Sequence, residues 1–310
     1  MPTAPISVAR RVWRPEFPCD VGATLSALRR GRGDPAFQVD RDGSIWRAAR
    51  TPTGPATLHL RRDLGNGDVL AQAWGPGADW MLDRLPAMLG ADDDPGGFAP
   101  DHPVLHDAVR RMPGLRVPAT GLVFEAMVAA ALEQKVTGQE ARRGWRTLLR
   151  RFGEPAPGPG EARGMRVLPT PADIRHIPSW EWLRCHVDPA RSRVVLTAAR
   201  VAGSLERTVG LPADEVDRRL RSLPGVGVWT SAEVRQRAHG DADAISFGDY
   251  HVAKNIGWAM TGARVDDAGL AVLVAPYRPH RYRVQRLLEL AGAAAPRRGP
   301  RMPPRRHLPS

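Results

Sequence analysis

The segment Leu223-Pro224-Gly225-Val226-Gly227-Val228-Trp229-Thr230 joins the end of one helical pattern to the start of the next within a few residues. Glycines there allow a tight turn and leave backbone N–H groups uncovered beside a helix N-terminus, where a phosphate oxygen can be held. Such a grip positions a DNA backbone without reading its bases. The competing reading is a purely structural turn. Asp249 follows 20 residues beyond Trp229, in Phe247-Gly248-Asp249-Tyr250-His251. At the start of a helix one carboxylate oxygen is used in capping while the other is free to face a cleft; an aspartate that only caps is the alternative.

Few other residues offer chemistry. Of 45 basic residues only Lys135 and Lys254 are lysine, the other 43 being arginine, so a mechanism through a lysine Schiff base has two candidates. Cys19 and Cys185 are too few and too far apart for a four-thiolate cluster or a zinc finger. They read as ordinary thiols of a reducing compartment. His102 and His106, flanked by Asp101 and Asp107, imitate a metal site, but Pro103 disfavours helical geometry at His102, and no metal is expected. His251 and Lys254 follow Asp249 on its helix, where contact with DNA or the aspartate competes with a plain solvated face.

The elements that must position these residues fall into two parts. Over residues 1–100, Asp42-Gly43 and Asn66-Gly67 punctuate alternating segments, among them Phe37-Gln38-Val39 and Thr57-Leu58-His59-Leu60, and predict an antiparallel meander. Asp20 predicts the cap of a short helix through Leu25 and Leu28, and Asp79 to Leu89 a second helix. Over 101–295 the pattern is helical: Leu122 to Leu132, Gln139 to Phe152, a helix starting at Thr170-Pro171, an apolar stripe from Val194 to Leu205, then Asp214 to Arg221, Thr230 to Ala238, His251 to Met260 and Arg281 to Leu290. The fold class is therefore α+β, a small antiparallel-sheet domain with helices followed by an all-helical domain. The remaining residues, 296–310, carry five arginines and five prolines without an acid and predict a disordered basic tail.

The formal charge of +12 suits a polyanionic partner, since neutralising phosphates releases counterions. With 42% hydrophobic and 25% charged residues the chain is globular, which excludes collagen, coiled coil and wholesale disorder. No run approaches the roughly 18 apolar residues of a membrane span and the N-terminus lacks an apolar leader, so a cytoplasmic, nucleoid-associated protein is expected.

Together the hairpin and Asp249 resemble the helix-hairpin-helix DNA glycosylases, and within them the AlkA-type 3-methyladenine DNA glycosylases. The resemblance runs from Arg111-Met112-Pro113-Gly114-Leu115-Arg116 through Phe124-Glu125, Gln134 and Leu168-Pro169-Thr170-Pro171 to Asp249 and on to Arg281-Tyr282. It implies an enzyme that flips a damaged nucleotide out of duplex DNA and hydrolyses its N-glycosidic bond. Asp249 would be the anion that stabilises the oxocarbenium-like sugar or positions the attacking water. Residues 223–227 and Thr230 would form the DNA-binding hairpin. Bifunctional relatives carry a lysine nucleophile where this chain has Trp229, so the resemblance implies a monofunctional, monomeric enzyme without lyase activity. It implies no iron–sulfur cluster and leaves open a monovalent cation at the hairpin.

Trp229 matches an aromatic position of the base pocket, where its face would stack on a cationic purine, the alternative being a core tryptophan. Glu233 and Glu289 stand where further pocket aromatics are expected. A carboxylate there either pairs with a cationic base or accepts hydrogen bonds from an exocyclic amine, or it is solvated or bridged to an arginine. In Gln134-Lys135-Val136 the family's apolar wedge, which fills the gap left by the flipped base, is replaced by Lys135; a plain connecting loop is the other reading. These departures leave two alternatives standing beside the glycosylase for alkylated purines. One is a DNA-binding protein whose pocket has decayed. The other is a glycosylase for a neutral lesion such as hypoxanthine, with Glu233 as acid.

Overall fold

A computed structural model describes residues 8–296. The predicted basic tail therefore lies, but for Pro296, outside the described residues. The meander is present: strands β1 (Val8–Trp13), β2 (Phe37–Val39), β3 (Ile45–Thr51), β4 (Gly54–Arg62) and β5 (Val69–Trp74) form one antiparallel sheet in the order β1-β5-β4-β3-β2. Asp42-Gly43 turns β2 into β3 and Asn66-Gly67 turns β4 into β5, as their sequences predict. Asp20 caps α1 (Val21–Leu25) by accepting from the Ala23 N–H at 2.8 Å, and a 3-10 turn continues it through Leu28.

Two expectations need correction. The predicted helix 79–89 is two helices, α2 (Ala78–Asp83) and α3 (Leu85–Met88), because Pro86 has no N–H to continue the ladder and sits instead in a first turn. The second part is not all-helical either. Strands β6 (Glu154–Pro155) and β7 (Arg166–Val167) make a small antiparallel ribbon around α7 (Pro159–Ala162). Its Ala156, Met165 and Val167 pack on Trp46 and Trp74, while α1, α2 and α3 cover the opposite face of the sheet. β3 is consequently buried almost along its whole length, which explains why it lacks a clean alternation.

The helices that follow are α4 (Pro103–Arg111), α5 (Val123–Glu133), α6 (Gly138–Phe152), α8 (Pro171–His176), α9 (Ser179–Arg184), α10 (Pro189–Arg200), α11 (Ala202–Glu206), α12 (Ala213–Arg221), α13 (Val228–Val234), α14 (Val252–Thr261), α15 (Asp267–Val274) and α16 (Arg281–Leu290). A π-turn, Arg235–His239, extends α13. Leu122 cannot cap α5, and the carboxylate of Glu206 does so from α11, accepting from the Val123 and Phe124 N–H groups at 2.9 and 2.8 Å.

Two apolar cores organise these helices. The larger gathers α5, α6 and α8 through α13; the smaller gathers α4, α14, α15 and α16. The chain passes from the first to the second between Gly240 and Val252, and a cleft opens along that seam. Asp249 lies on the crossing.

Candidate active site

The hairpin between α12 and α13 is set by packing at one residue and by backbone freedom at another. Gly225 has φ +84, and a Cβ there would lie 2.5 Å from Val194 Cγ2, so only glycine fits. Val226, 6% exposed, plugs the larger core, and Leu223 packs beside it. Gly227 starts α13 with open space where a Cβ would be. Thr230 is buried, and its Oγ1 accepts from Gln134 Nε2 at 2.9 Å; the same nitrogen donates to the Gly225 carbonyl at 2.9 Å.

The residues assigned to the hairpin thus divide. Pro224, Gly225 and Gly227 face outward, whereas Val226 and Thr230 face inward and hold the turn. Gln134 ties the α5–α6 loop to the hairpin instead of projecting its amide N–H₂ from the surface. Beside it Lys135 stands exposed in a left-handed backbone conformation, φ 52, outside the cleft, and Val136 is half-buried. For an alkali cation the hairpin offers only backbone carbonyls, of which those of Leu223 and Gly225 already accept from the Val226 N–H and the Gln134 side chain.

Asp249 does both things its position allows. Oδ1 accepts from the backbone N–H groups of His251 and Val252 at 2.7 and 3.1 Å, capping α14, and Oδ2 accepts from Trp229 Nε1 at 3.2 Å. Its flanks are pinned as well. Asp267 accepts from the Gly248 N–H at 2.8 Å and Gln285 from the Ser246 N–H at 3.0 Å. Trp229 is half-exposed, so it is not a core residue; its indole edge holds the carboxylate while the ring lines the cleft.

The cleft contains a cavity of about 370 Å³, within the usual size range of small-molecule sites. Trp229, Glu233, Asp249 and Glu289 all line it, together with Glu133, His251, Tyr282 and Arg286. Lys135 and Lys254 do not; the Lys254 ammonium lies over the Tyr250 ring, 3.4 Å from its centroid. His102 caps α4 through one ring nitrogen and meets the Met260 carbonyl with the other, so both are engaged by backbone. Among the described residues no group of His, Cys, Asp and Glu is arranged to hold a metal ion. Burial pushes the thiols of Cys19 and Cys185 up to about 11.

Glu233 is the most elaborately held group on the far wall. Its Oε2 pairs with Arg237 Nη1 at 2.8 Å and its Oε1 accepts from the Ser246 hydroxyl at 2.7 Å. Burial pushes the Glu233 carboxyl up, and Arg237 opposes the shift. Burial works most strongly against the Arg237 charge in turn, but Glu233 together with Tyr282, Glu133 and Glu289 outweighs it and raises that guanidinium. Arg237 Nε also donates to the Ala27 carbonyl at 3.0 Å. Glu289, at the mouth, accepts from Gln285 Nε2 at 2.8 Å and Arg286 Nη1 at 3.3 Å, and Arg286 reaches Ser26. Both arginines therefore brace a pocket carboxylate against the N-terminal segment that follows Asp20.

Arg237, Arg286, Ser246 and Gln285 were not among the residues singled out from sequence. The four-residue spacing of Glu233 and Arg237 on one helix is the signal that could have found the first. Gln285 and Arg286, four and three residues before Glu289 on α16, carry the same kind of signal, whereas Ser246, whose partner Glu233 lies on another element, and the reach of Arg286 to Ala23 and Ser26 have none.

No model of a protein family matches the chain. Its sequence is 28% identical over 268 residues to the "Probable bifunctional transcriptional activator/DNA repair enzyme AlkA" of Mycobacterium tuberculosis, covering 82% of this chain and 51% of the relative. The chain thus spans about half the length of the curated relatives it matches. The structure is similar to that of a 3-methyladenine DNA-glycosylase from Archaeoglobus fulgidus, with a TM-score of 0.74 at 15% identity over 92% of this chain and 98% of that one. It is similar also to an 8-oxoguanine glycosylase/lyase from Clostridium acetobutylicum, with a TM-score of 0.69 at 13% identity over 93% and 99% of the two chains. At such identities the likeness shows the fold. The chain is thus similar in sequence to a probable DNA repair enzyme AlkA and shares the fold of these DNA glycosylases.

Proposed function

We propose that the protein is a monofunctional DNA glycosylase that hydrolyses the N-glycosidic bond of alkylated, 3-methyladenine-like purines in duplex DNA, as in base excision repair. The observation that carries this reading is the carboxylate of Asp249, held by three N–H donors at the edge of a base-sized cavity beside an exposed hairpin. The sequence likeness to a DNA repair enzyme supports it.

In this mechanism the hairpin and the +12 charge hold the DNA backbone, and the damaged nucleotide turns into the cavity. An alkylated purine already carries positive charge. It departs with the electron pair of the C1′–N bond, and positive charge develops on the sugar. Asp249 faces that charge as a preorganised anion, and water adds its oxygen to C1′ and loses a proton. The reaction so written needs no cofactor. Neither lysine lines the cavity, which supports hydrolysis over Schiff-base strand cleavage.

Incubation with a duplex carrying one methylated purine tests this. The expected product is an unbroken strand with an abasic site, cleaved only after heat or base. Strand scission without that treatment, lost on replacing Lys135 or Lys254, would overturn the monofunctional reading. The neutral-lesion alternative needs Glu233 as an acid. Ser246 Oγ accepts from Gln236 and Gln285, so its own proton goes to Glu233, and Arg237 takes the other oxygen. These partners favour the carboxylate, whereas burial favours its protonated form.

A further inference from the structure

The far wall of the cavity differs from an aromatic slot in a way that bears on which base it takes. We infer that Glu233 and Glu289 select the base by accepting hydrogen bonds from N–H donors on its edge, an exocyclic amine or a ring N–H; this rests on the cavity being the base site of the reading above.

Three observations support the assignment. First, among the described residues Trp229 and Tyr282 bring the large aromatic rings to the cavity, and Tyr282 is 2% exposed, so a flipped base has the Trp229 indole and the smaller His251 imidazole as accessible rings. Second, the side-chain amide and hydroxyl donors that flank the two carboxylates, on Gln236, Gln285 and Ser246, are already committed. Gln236 Nε2 serves the Ala244 carbonyl and Ser246, and Gln285 Nε2 serves Ser246 and Glu289. The Ser246 hydroxyl serves Glu233. Third, each carboxylate oxygen has two lone pairs, and those of Glu233 and Glu289 each carry a single hydrogen-bond or ion-pair partner. The capacity left on the two carboxylates and the amides and hydroxyl beside them is therefore to accept. Arg237 and Arg286, braced on Ala27 and Ser26, keep both carboxylates in place whether or not a base is bound.

The chemical class that fits is an aminopurine, with 3-methyladenine as the simplest probe. A base whose amine is closed into a ring and whose N9 is blocked as the sugar blocks it in DNA, such as 9-methyl-1,N6-ethenoadenine, the ethenoadenine used below, offers that wall no N–H and leaves its acceptors facing acceptors. A site built to receive donors rejects a ligand that lacks them more strongly than it rejects one of altered size.

The test titrates each free base into the full chain by calorimetry, for wild type, Glu289→Gln, Glu233→Gln and the double variant. Tenfold or greater preference of wild type for 3-methyladenine over ethenoadenine is expected, reduced in each single variant and lost in the double one. Equal affinity for the two bases, no binding of either, or a preference that survives in the double variant would overturn the inference. Glu289 is exposed and its substitution leaves the buried ion pair intact, so Glu289→Gln decides alone if Glu233→Gln fails to fold. Excision from duplex DNA by wild type reports separately on the glycosylase reading, so loss of one leaves the other standing.

Discussion

At its N-terminal end α13 begins on Gly227, with open space around the backbone and an exposed hairpin before it; six residues on, Glu233 is buried against Arg237, and at the end of the π-turn His239 is buried against Thr208. One end of the helix is backbone and solvent, the other paired charge in a dry interior. The first is suited to holding an extended polyanion of any sequence and the second to discriminating one small molecule. The same helix joins them, with Trp229 between, donating to Asp249.

This contrast can be broken most forcefully at the buried end. Glu233→Ala leaves the Arg237 guanidinium without its carboxylate, and an unpaired buried charge costs about 3–5 kcal/mol. Denaturant unfolding should show a loss of that size, and a loss below about 1 kcal/mol would mean that the pair is solvated.

His239 gives the next largest effect. Burial first, then Arg235, pushes its pKa down to about 4 from an ordinary 6.5. Between those values the unfolded chain binds a proton that the folded chain refuses. Stability is therefore intact above pH 6.5 and falls as pH drops toward 4, by about 3 kcal/mol. His239→Gln, neutral throughout, should lack this fall, so that the wild-type-minus-variant stability difference drops by about 3 kcal/mol over that window. A difference that does not change with pH would place the imidazole in water.

The hairpin end should respond by smaller amounts and in a different observable. Gly225→Ala meets both the positive φ and Val194, and should cost about 1–2 kcal/mol of stability. Gly227→Ala meets nothing and should unfold at nearly the wild-type denaturant concentration, within about 0.5 kcal/mol. Its effect should appear instead in salt-dependent affinity for duplex DNA, weakened severalfold by a methyl group over the exposed amides. Unchanged binding across salt concentrations would remove the hairpin from the DNA interface.

The hairpin end was also the legible one. Glycines, prolines and a capping aspartate act through backbone geometry, which local sequence encodes, so the turn at Leu223–Gly227 and the position of Asp249 before a helix could be read directly. The sheet was legible for the same reason at Asp42-Gly43 and Asn66-Gly67. Its strands gave no hint that both faces are covered, because the cover on one side comes from Met165 and Val167, a hundred residues away in sequence. Glu233 and Glu289 were visible as departures from an aromatic pattern and as possible acceptors or arginine partners, but not in how they are braced. Gln285 lies one turn from Glu289, but Ser246 and the segment around Ser26 are brought to the two carboxylates only by the fold. Gln134 could be placed in the loop between two helices, but its bonds to Gly225 and Thr230 could not be read, because those partners lie some ninety residues on in sequence.

The central claim is that Asp249 drives departure of a damaged base. It is tested most directly by treating methylated duplex DNA with wild type and Asp249→Asn under single-turnover conditions and resolving the released bases by mass. The account predicts free 3-methyladenine from wild type and release slower by about 10³-fold from the variant, with DNA binding retained. Equal release by the two proteins, or none by wild type while it still binds DNA, would contradict it.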